Sequence, residues 1–307
     1  MQREYRYDNI KAFLIFCVVF GHMIEGSSHD MIRMIYTLIY SFHMPLFVFL
    51  SGMFARFDPQ RIVRRLLLPY LIFQTIYSVG GFPGNAGLHY TTPFWILWYL
   101  LSMVIWHMLV PFIEGGSRRK KAAVFFGSVL VALLTGYDAS VGYWMSASRT
   151  VVFFPFFVMG YYYGHSEYLK SFFEKINKYC VIGAGGAAAL VICFFSDRID
   201  ARWLYGSYHY QAINYSIACR LLCYLFAFVL GAAVLKIFPE RESCLSCIGQ
   251  HTMPVYLVHA VCVMAAKYCI FERVSWSENQ ELALASAFSF LIVWMLAKTS
   301  CRHLRYL

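Results

Sequence analysis

Residues 7–26 read YDNIKAFLIFCVVFGHMIEG. The run from Ala12 to Phe20 is entirely apolar, and ionisable residues flank it on both sides. Similar runs recur to the end of the chain, so that 60% of its 307 residues are hydrophobic and only 14% are charged. A soluble domain carries about a quarter charged residues. The composition therefore excludes a soluble globular protein and indicates an integral membrane protein.

The apolar runs predict an all-α, polytopic membrane protein of about ten transmembrane helices, in a single domain at 1–307. Helix is expected because an open strand would leave backbone groups unsatisfied in lipid. Several runs reach the roughly 20 residues that a helix needs to cross the hydrocarbon layer. The predicted spans are 9–26, 34–55, 66–80, 94–113, 122–137, 145–164, 179–196, 213–237, 249–271 and 281–300.

Lysine and arginine are concentrated in every other loop, which holds 19 of the 26 basic residues. Because cytoplasmic loops are enriched in these residues, the pattern predicts that both termini and the loop at 114–121 are cytoplasmic. It also accounts for the net charge of +10 without nucleic acid, and we expect no nucleic-acid partner. The basic clusters lie at 3–11, 56–65, 118–121, 170–178, 236–241 and 298–305.

One face of the first span carries ionisable residues. Lys11 and His22 are separated by three helical turns plus about 20°, so they share a face, roughly 16 Å apart along the axis. Glu25 follows one turn after His22 and is placed to orient the imidazole, as the acid of a catalytic triad does. Because ionisable side chains are costly inside a membrane, the pair predicts a functional site.

Other polar residues within apolar runs are further candidates. His43 lies in a span that Pro45 kinks, and it either lines the same cavity or is bonded only structurally. Arg149 and Arg220 are single basic residues that suit a phosphate, carboxylate or carbonyl oxygen. Tyr256 and His259 share a helix face.

The loop 197–212, DRIDARWLYGSYHYQA, combines aromatic with polar side chains, and Trp98 lies in the aromatic run WILWYLLS. Aromatic faces stack on sugar rings while polar groups bond the ring hydroxyls, so this composition suits a carbohydrate. The alternative is an interfacial belt of aromatic residues.

A basic segment follows the second span. Arg61, Arg64 and Arg65 lie there at the predicted cytoplasmic rim, where guanidinium groups suit an anionic headgroup or a nucleotide phosphate. The chain has no Walker loop and no GxGxxG motif. The lone C-x-x-C at Cys244 and Cys247 has only His251 nearby, too few ligands for zinc, and we expect no metal.

Together these segments resemble the acyltransferase-3 family of membrane O-acyltransferases, and most closely its fucose 4-O-acetylase-like branch. Lys11 and His22 match the family's Arg/Lys-x10-His signature. The other matching blocks are FHMPLFVFLSG at 42–52, RLLLPY at 65–70, LWYL at 97–100, SRTVVFFPFFVMGYYYG at 148–164 and IGQHTMPVYLVH at 248–259. Six blocks in order make the resemblance specific.

The resemblance implies about ten helices around a central cavity, acetyl-CoA as the cytoplasmic donor substrate, and a hydroxyl of a glycan or glycan precursor as the outer acceptor. It implies a bacterial plasma membrane as the location. His22 becomes the catalytic group and Lys11 the basic partner in the donor path. Lys11 replaces the commoner arginine, which keeps the charge but loses bidentate bonding.

The predicted site therefore has three parts. The catalytic pair is His22 and Glu25, with His22 either a general base or the carrier of an acetyl group. The acetyl-CoA site comprises Lys11, Arg61, Arg64, Arg65 and Arg149. The acceptor site comprises His43, Trp98, Tyr256 and His259. The alternative is a transporter or flippase for a small polar or glycan-linked substrate, since buried ionisable residues also mark transport paths.

Overall fold

The computed structural model describes residues 4–80 and 89–303, with the backbone alone for 299–303. Within these ranges the chain is helical and forms no strand, which confirms the all-α prediction. The predicted basic residues Arg3 and Arg305 lie outside the described residues. The helices are α1 Tyr5–Ile24, α2 Asp30–Met53, α3 Pro59–Ile62, α4 Leu68–Val79, α5 Trp98–Ile113, α6 Arg118–Leu134, α7 Ala147–Gly164, α8 Glu167–Lys175, α9 Lys178–Phe194, α10 Ile217–Ile237, α11 Cys244–Gln250, α12 Thr252–Ala266 and α13 Glu278–His303.

Eight of the described helical segments are long and apolar enough to cross a membrane. A ninth arises if α8 and α9, which meet at an angle of 81°, form one broken span. The remaining predicted span, 145–164, is the 18-residue helix α7, which is less apolar because it contains Arg149 and the run Tyr161–Tyr163. The eight segments are Tyr5–Ile24, Asp30–Met53, Pro59–Val79, Trp95–Ile113, Arg118–Tyr137, Ile217–Ile237, Thr252–Phe271 and Glu278–Lys298.

Two of these spans contain a π-helical turn: Val63–Leu67 interrupts Pro59–Val79, and Lys267–Phe271 ends Thr252–Phe271. The first turn contains Arg64 and Arg65, and the second begins with Lys267. Such turns widen the helix locally and often occur at functional sites. Hydropathy alone does not reveal them, because it reports composition and not the pattern of backbone hydrogen bonds that defines a π turn.

The chain divides into two compact units. The first comprises Met1–Phe47, Ile176–Ala201 and Leu225–Leu307, and the second comprises Val48–Lys175 and Arg202–Tyr224.

In the first unit, α1 is the central helix: it packs against α11, α12 and α13, and fourteen of its twenty residues are buried. A Cβ on Gly249 would lie 1.7 Å from the backbone oxygen of Asp8, so α11 contacts α1 backbone to backbone. Asn9 links the same end of α1 to the start of α11, since its side-chain oxygen accepts hydrogen bonds of 2.7 Å from Ser243 and from Ser246. α1 is thus held firmly, and with it the residues on its polar face.

In the second unit, the last turns of α2 lie directly against α7. A Cβ on Gly52 would come within 2.1 Å of the Phe157 oxygen, and one on Gly160 within 1.9 Å of the Phe49 oxygen. Glycines on both helices allow this close contact between their backbones.

Candidate active site

The helix α1 continues without a break from Tyr5 to Ile24, so Lys11 and His22 lie on one face of it, as the spacing predicts. Glu25 follows directly as the residue that caps the helix. The Nδ1 atom of His22 lies 3.2 Å from Oε2 of Glu25. The two side chains that the sequence pairs are therefore in contact, and both are only partly buried.

This contact fixes the chemistry of the imidazole. An ionised carboxylate only accepts hydrogen bonds, so Nδ1 of His22 carries a proton and donates it to Glu25. The hydroxyl of Tyr40 lies 3.4 Å from the same Nδ1. Nε2 is then the nitrogen whose lone pair can take a proton from a substrate.

Glu25 is held in its charged form. Burial acts to raise its pKa, but the hydrogen bond and charge of His22, the charge of Lys267 and a hydrogen bond from Tyr36 together outweigh burial and lower it. The Nζ atom of Lys267 also donates to the backbone oxygen of Glu25 at 2.6 Å. The pair therefore places a carboxylate against the imidazole, in the arrangement of a base with an orienting acid.

His259 lies directly beside this pair. Its ring stacks on that of His22, with the centroids 5.6 Å apart and the planes inclined by 23°. Its Nδ1 donates to the backbone oxygens of Tyr256, at 2.8 Å, and Val255, at 3.0 Å. Its Nε2 is buried and has no hydrogen-bond partner among the described residues. A buried polar atom without a partner is rare, and here it offers a lone pair to a ligand beside His22.

The other two predicted acceptor residues of this unit lie around these rings. His43 is buried, donates from Nδ1 to the Ile39 oxygen at 2.8 Å, and packs against the ring of Tyr40 at 4.7 Å. The ring of Tyr256 lies 6.2 Å from that of His259. Tyr256 thus packs directly on His259, whereas His43 reaches His22 through Tyr40.

Sequence reasoning missed three residues of this cluster: Tyr36, Tyr40 and Lys267. Tyr36, Tyr40 and His43 follow one another at intervals of four and three residues, and so form one face of α2. The rings of Tyr36 and Tyr40 stack at 4.1 Å. Lys267 was visible as a single basic residue in an apolar run, which is itself a signal of function.

The predicted donor residues lie elsewhere. Lys11 is bonded to Asp8 on its own helix, with 2.9 Å between Nζ and Oδ1, so its charge is partly compensated. In the second unit, Arg61, Arg64 and Arg65 are all exposed. They lie in α3 and the following π turn, at the start of the segment Pro59–Val79.

In the second unit, Arg149 and Trp98 lie together. The Arg149 guanidinium lies over the Trp98 ring at 5.2 Å and over the Tyr143 ring at 5.5 Å, and its Nε donates to the Tyr205 oxygen at 3.3 Å. The sequence assigns Arg149 to the donor and Trp98 to the acceptor, but their contact makes them parts of one aromatic cluster.

Arg220, the other isolated arginine, is engaged within the protein. Its side chain is buried and donates to the Ala132 oxygen at 2.8 Å, the Tyr208 oxygen at 3.0 Å and the Tyr215 hydroxyl. Its ring contacts with Tyr210 and Tyr215 enclose the guanidinium further. Arg220 thus holds the loop before α10 in place, which is a structural role.

Comparison with known protein families identifies the chain's family. A family model of the acyltransferase-3 type, described as an acyltransferase domain, matches residues 4–298. No curated protein and no solved structure matches the chain. The match covers nearly the whole chain and therefore includes His22, Glu25 and every other residue of the cluster around them.

Proposed function

The chain belongs to the acyltransferase-3 family, and on this basis we propose that it is a membrane O-acetyltransferase of the fucose 4-O-acetylase-like type. It moves an acetyl group from cytoplasmic acetyl-CoA to a hydroxyl of a glycan or glycan precursor at the outer face. Membership of the family supports acyl transfer in a membrane. The observation that carries the finer proposal is the contact between His22 Nδ1 and Glu25 Oε2 at 3.2 Å.

In the proposed reaction, Nε2 of His22 removes the proton from the acceptor hydroxyl as its oxygen attacks the carbonyl carbon of the thioester. The new C–O bond forms, the C–S bond breaks, and the departing thiolate takes the proton from the imidazolium. Glu25 stabilises the imidazolium between these two events. A His22 that is itself acetylated would need two transfers, so we propose the direct reaction, which needs one.

His259 is proposed to position the acceptor. Its buried Nε2 lies beside His22 and accepts a hydrogen bond from a hydroxyl or amide of the substrate, which satisfies an atom that otherwise has no described partner. His43 and Tyr256 support this wall through their contacts with Tyr40 and His259.

The donor's phosphates are proposed to bind the exposed Arg61, Arg64 and Arg65, which belong to one of the basic clusters predicted to be cytoplasmic. Lys11, near the predicted cytoplasmic end of α1, is proposed to contact the donor as well, and the thioester is proposed to react beside His22.

Arg149 fits this donor path less well. In the predicted orientation the chain enters α7 from outside, so Arg149 lies near the outer end of that helix, among Trp98, Tyr143 and Tyr205. Aromatic rings around a guanidinium suit a carbohydrate better than a thioester. We therefore propose that Arg149, like Trp98, contacts the acceptor and not acetyl-CoA.

The proposal is tested with the purified full chain in lipid nanodiscs, supplied with acetyl-CoA and a panel of methyl hexosides. Release of free CoA that depends on acceptor, together with an acetylated hexoside found by mass spectrometry, is the expected result. A transporter would instead move hexosides across proteoliposome membranes without releasing CoA, and that result would overturn the proposal.

A further inference from the structure

A polar cleft lies in the first unit, next to the residues that surround His22. Its volume is about 360 Å³, and its walls come from α2, through Arg33, Tyr36 and Thr37, and from the turn 196–201 that follows α9. Ligand pockets span roughly 300–1,000 Å³, so this cleft is at the small end of that range and suits one sugar unit.

Tyr36 joins the cleft to the proposed catalytic pair. It lines the cleft and also hydrogen-bonds to the carboxylate of Glu25. Its ring stacks at 4.1 Å on that of Tyr40, whose hydroxyl lies 3.4 Å from Nδ1 of His22. A ligand in the cleft therefore contacts a side chain that touches Glu25 directly and His22 through one neighbour.

The side chains that line the cleft carry equal numbers of positive and negative charges. Arg33 and Arg198 bring two guanidinium groups, and Asp197 and Asp200 bring two carboxylates. Such a lining offers both donors and acceptors of hydrogen bonds, as the hydroxyl groups of a sugar require, but it has no net charge with which to attract an anion.

We propose that this cleft is the acceptor subsite and that it selects a neutral, hydroxyl-rich sugar ring over a uronate or a phosphorylated sugar. The proposal rests on the proposed function, since it supplies the hydroxyl that His22 deprotonates. The sugar lies against α2 and the turn 196–201, and the reacting hydroxyl is directed past Tyr36 towards His22.

The first test fills the cleft. Ala201→Trp places an indole against the sugar position, and Ala187→Trp makes the same change on an exposed part of α9. The best acceptor among methyl glucoside, galactoside and mannoside is used for both. Ala201→Trp should raise the KM for the hexoside at least tenfold, while Ala187→Trp should behave as the unaltered protein. An equal KM in both variants would overturn the proposal.

The second test changes which sugar the cleft prefers, neutral or charged. It measures a ratio of activities and therefore does not depend on a loss of activity. Asp197→Lys gives the lining a net positive charge, and Glu242→Lys makes the same charge change at a residue that does not line the cleft. The ratio of kcat/KM for the uronide to that for its neutral hexoside should rise at least tenfold in Asp197→Lys alone. An unchanged ratio would overturn the proposal even if Ala201→Trp failed to fold.

The two proposals fail in different ways. The cleft assignment is wrong if CoA release is lost in His22→Ala but no neutral hexoside accepts the acetyl group. It is also wrong if the unaltered protein prefers the uronide. In both cases the acyltransferase proposal remains. If CoA release does not depend on His22, the proposed function itself is wrong.

Discussion

The ammonium group of Lys267 lies 2.6 Å from the backbone oxygen of Glu25. This bond ties the π turn after α12 to the end of α1, and it brings a positive charge towards the Glu25 carboxylate. Together with His22 on α1 and Tyr36 on α2, Lys267 shows that three helices of the first unit determine the position and charge of one carboxylate.

The first prediction concerns that charge. Lys267→Met removes a cation that helps to lower the pKa of Glu25, so this pKa should rise, and the part of the acidic limb of the kcat/KM profile at which Glu25 takes a proton should move to higher pH. The loss at neutral pH should stay well below the roughly 10²-fold expected for loss of a general base. Lys267→Arg, which keeps the charge, is the matched control. Superimposable pH profiles for Lys267→Met and the control would show that the cation does not act on Glu25.

The second prediction concerns the packing of α2 on α7. Gly160→Leu should abolish folding of the second unit, because even a Cβ at this position would lie 1.9 Å from the Phe49 backbone oxygen. Gly186→Ala is the control, since a Cβ there meets nothing within 4 Å. The yield of monodisperse protein and its melting temperature in detergent report the difference. Normal melting of Gly160→Leu would refute the close helix contact.

The sequence predicts features that depend on one helix and misses those that need several. The helical class, the apolar runs and the His22–Glu25 contact all follow from composition and from spacing along α1. Tyr40 and Lys267 reach His22 and Glu25 from other helices, and no spacing rule reveals such contacts.

Local backbone geometry is a second reason why the helices of the structure differ from the spans predicted from the sequence. The predicted span at 145–164 begins instead at Ala147, because Met145 and Ser146 adopt left-handed φ values of 52° and 53°. The predicted span at 249–271 is divided, since α11 ends before His251 and α12 begins at Thr252. The residues at the breaks, Met145, Ser146 and His251, are neither glycine nor proline, although Gly142, Gly249 and Pro254 lie within three residues of them.

The third prediction tests the donor site. Arg65→Ala should raise the KM for acetyl-CoA at least tenfold, as expected if a charge-assisted bond of ~1.5–3 kcal/mol to a CoA phosphate is lost. Arg119→Ala removes an exposed arginine from another basic cluster on the same predicted side and should leave this KM unchanged. Equal KM values for the two variants would show that the donor's phosphates do not bind at the π turn Val63–Leu67.

The fourth prediction tests the orientation of the chain. In a cysteine-depleted background, a membrane-impermeant maleimide added to intact cells should label Ser140→Cys, in the loop before α7, and should not label Arg118→Cys, at the start of α6. Both positions are exposed, so a difference in labelling reports the side of the membrane. Labelling of Arg118→Cys alone would invert the orientation and exchange the donor and acceptor faces.

The most direct test of the account is the effect of His22 on turnover, with acetyl-CoA binding measured on the same preparation. His22→Ala should lose acetyl transfer by a factor of about 10² or more, since general-base catalysis typically contributes 10²–10⁴-fold, and it should still bind acetyl-CoA. His22→Gln keeps a polar side chain beside Glu25 and should lose transfer to a similar extent. It serves as a second variant in case His22→Ala fails to fold. Near-normal turnover in either variant would contradict the account, because the base would then have to be another residue.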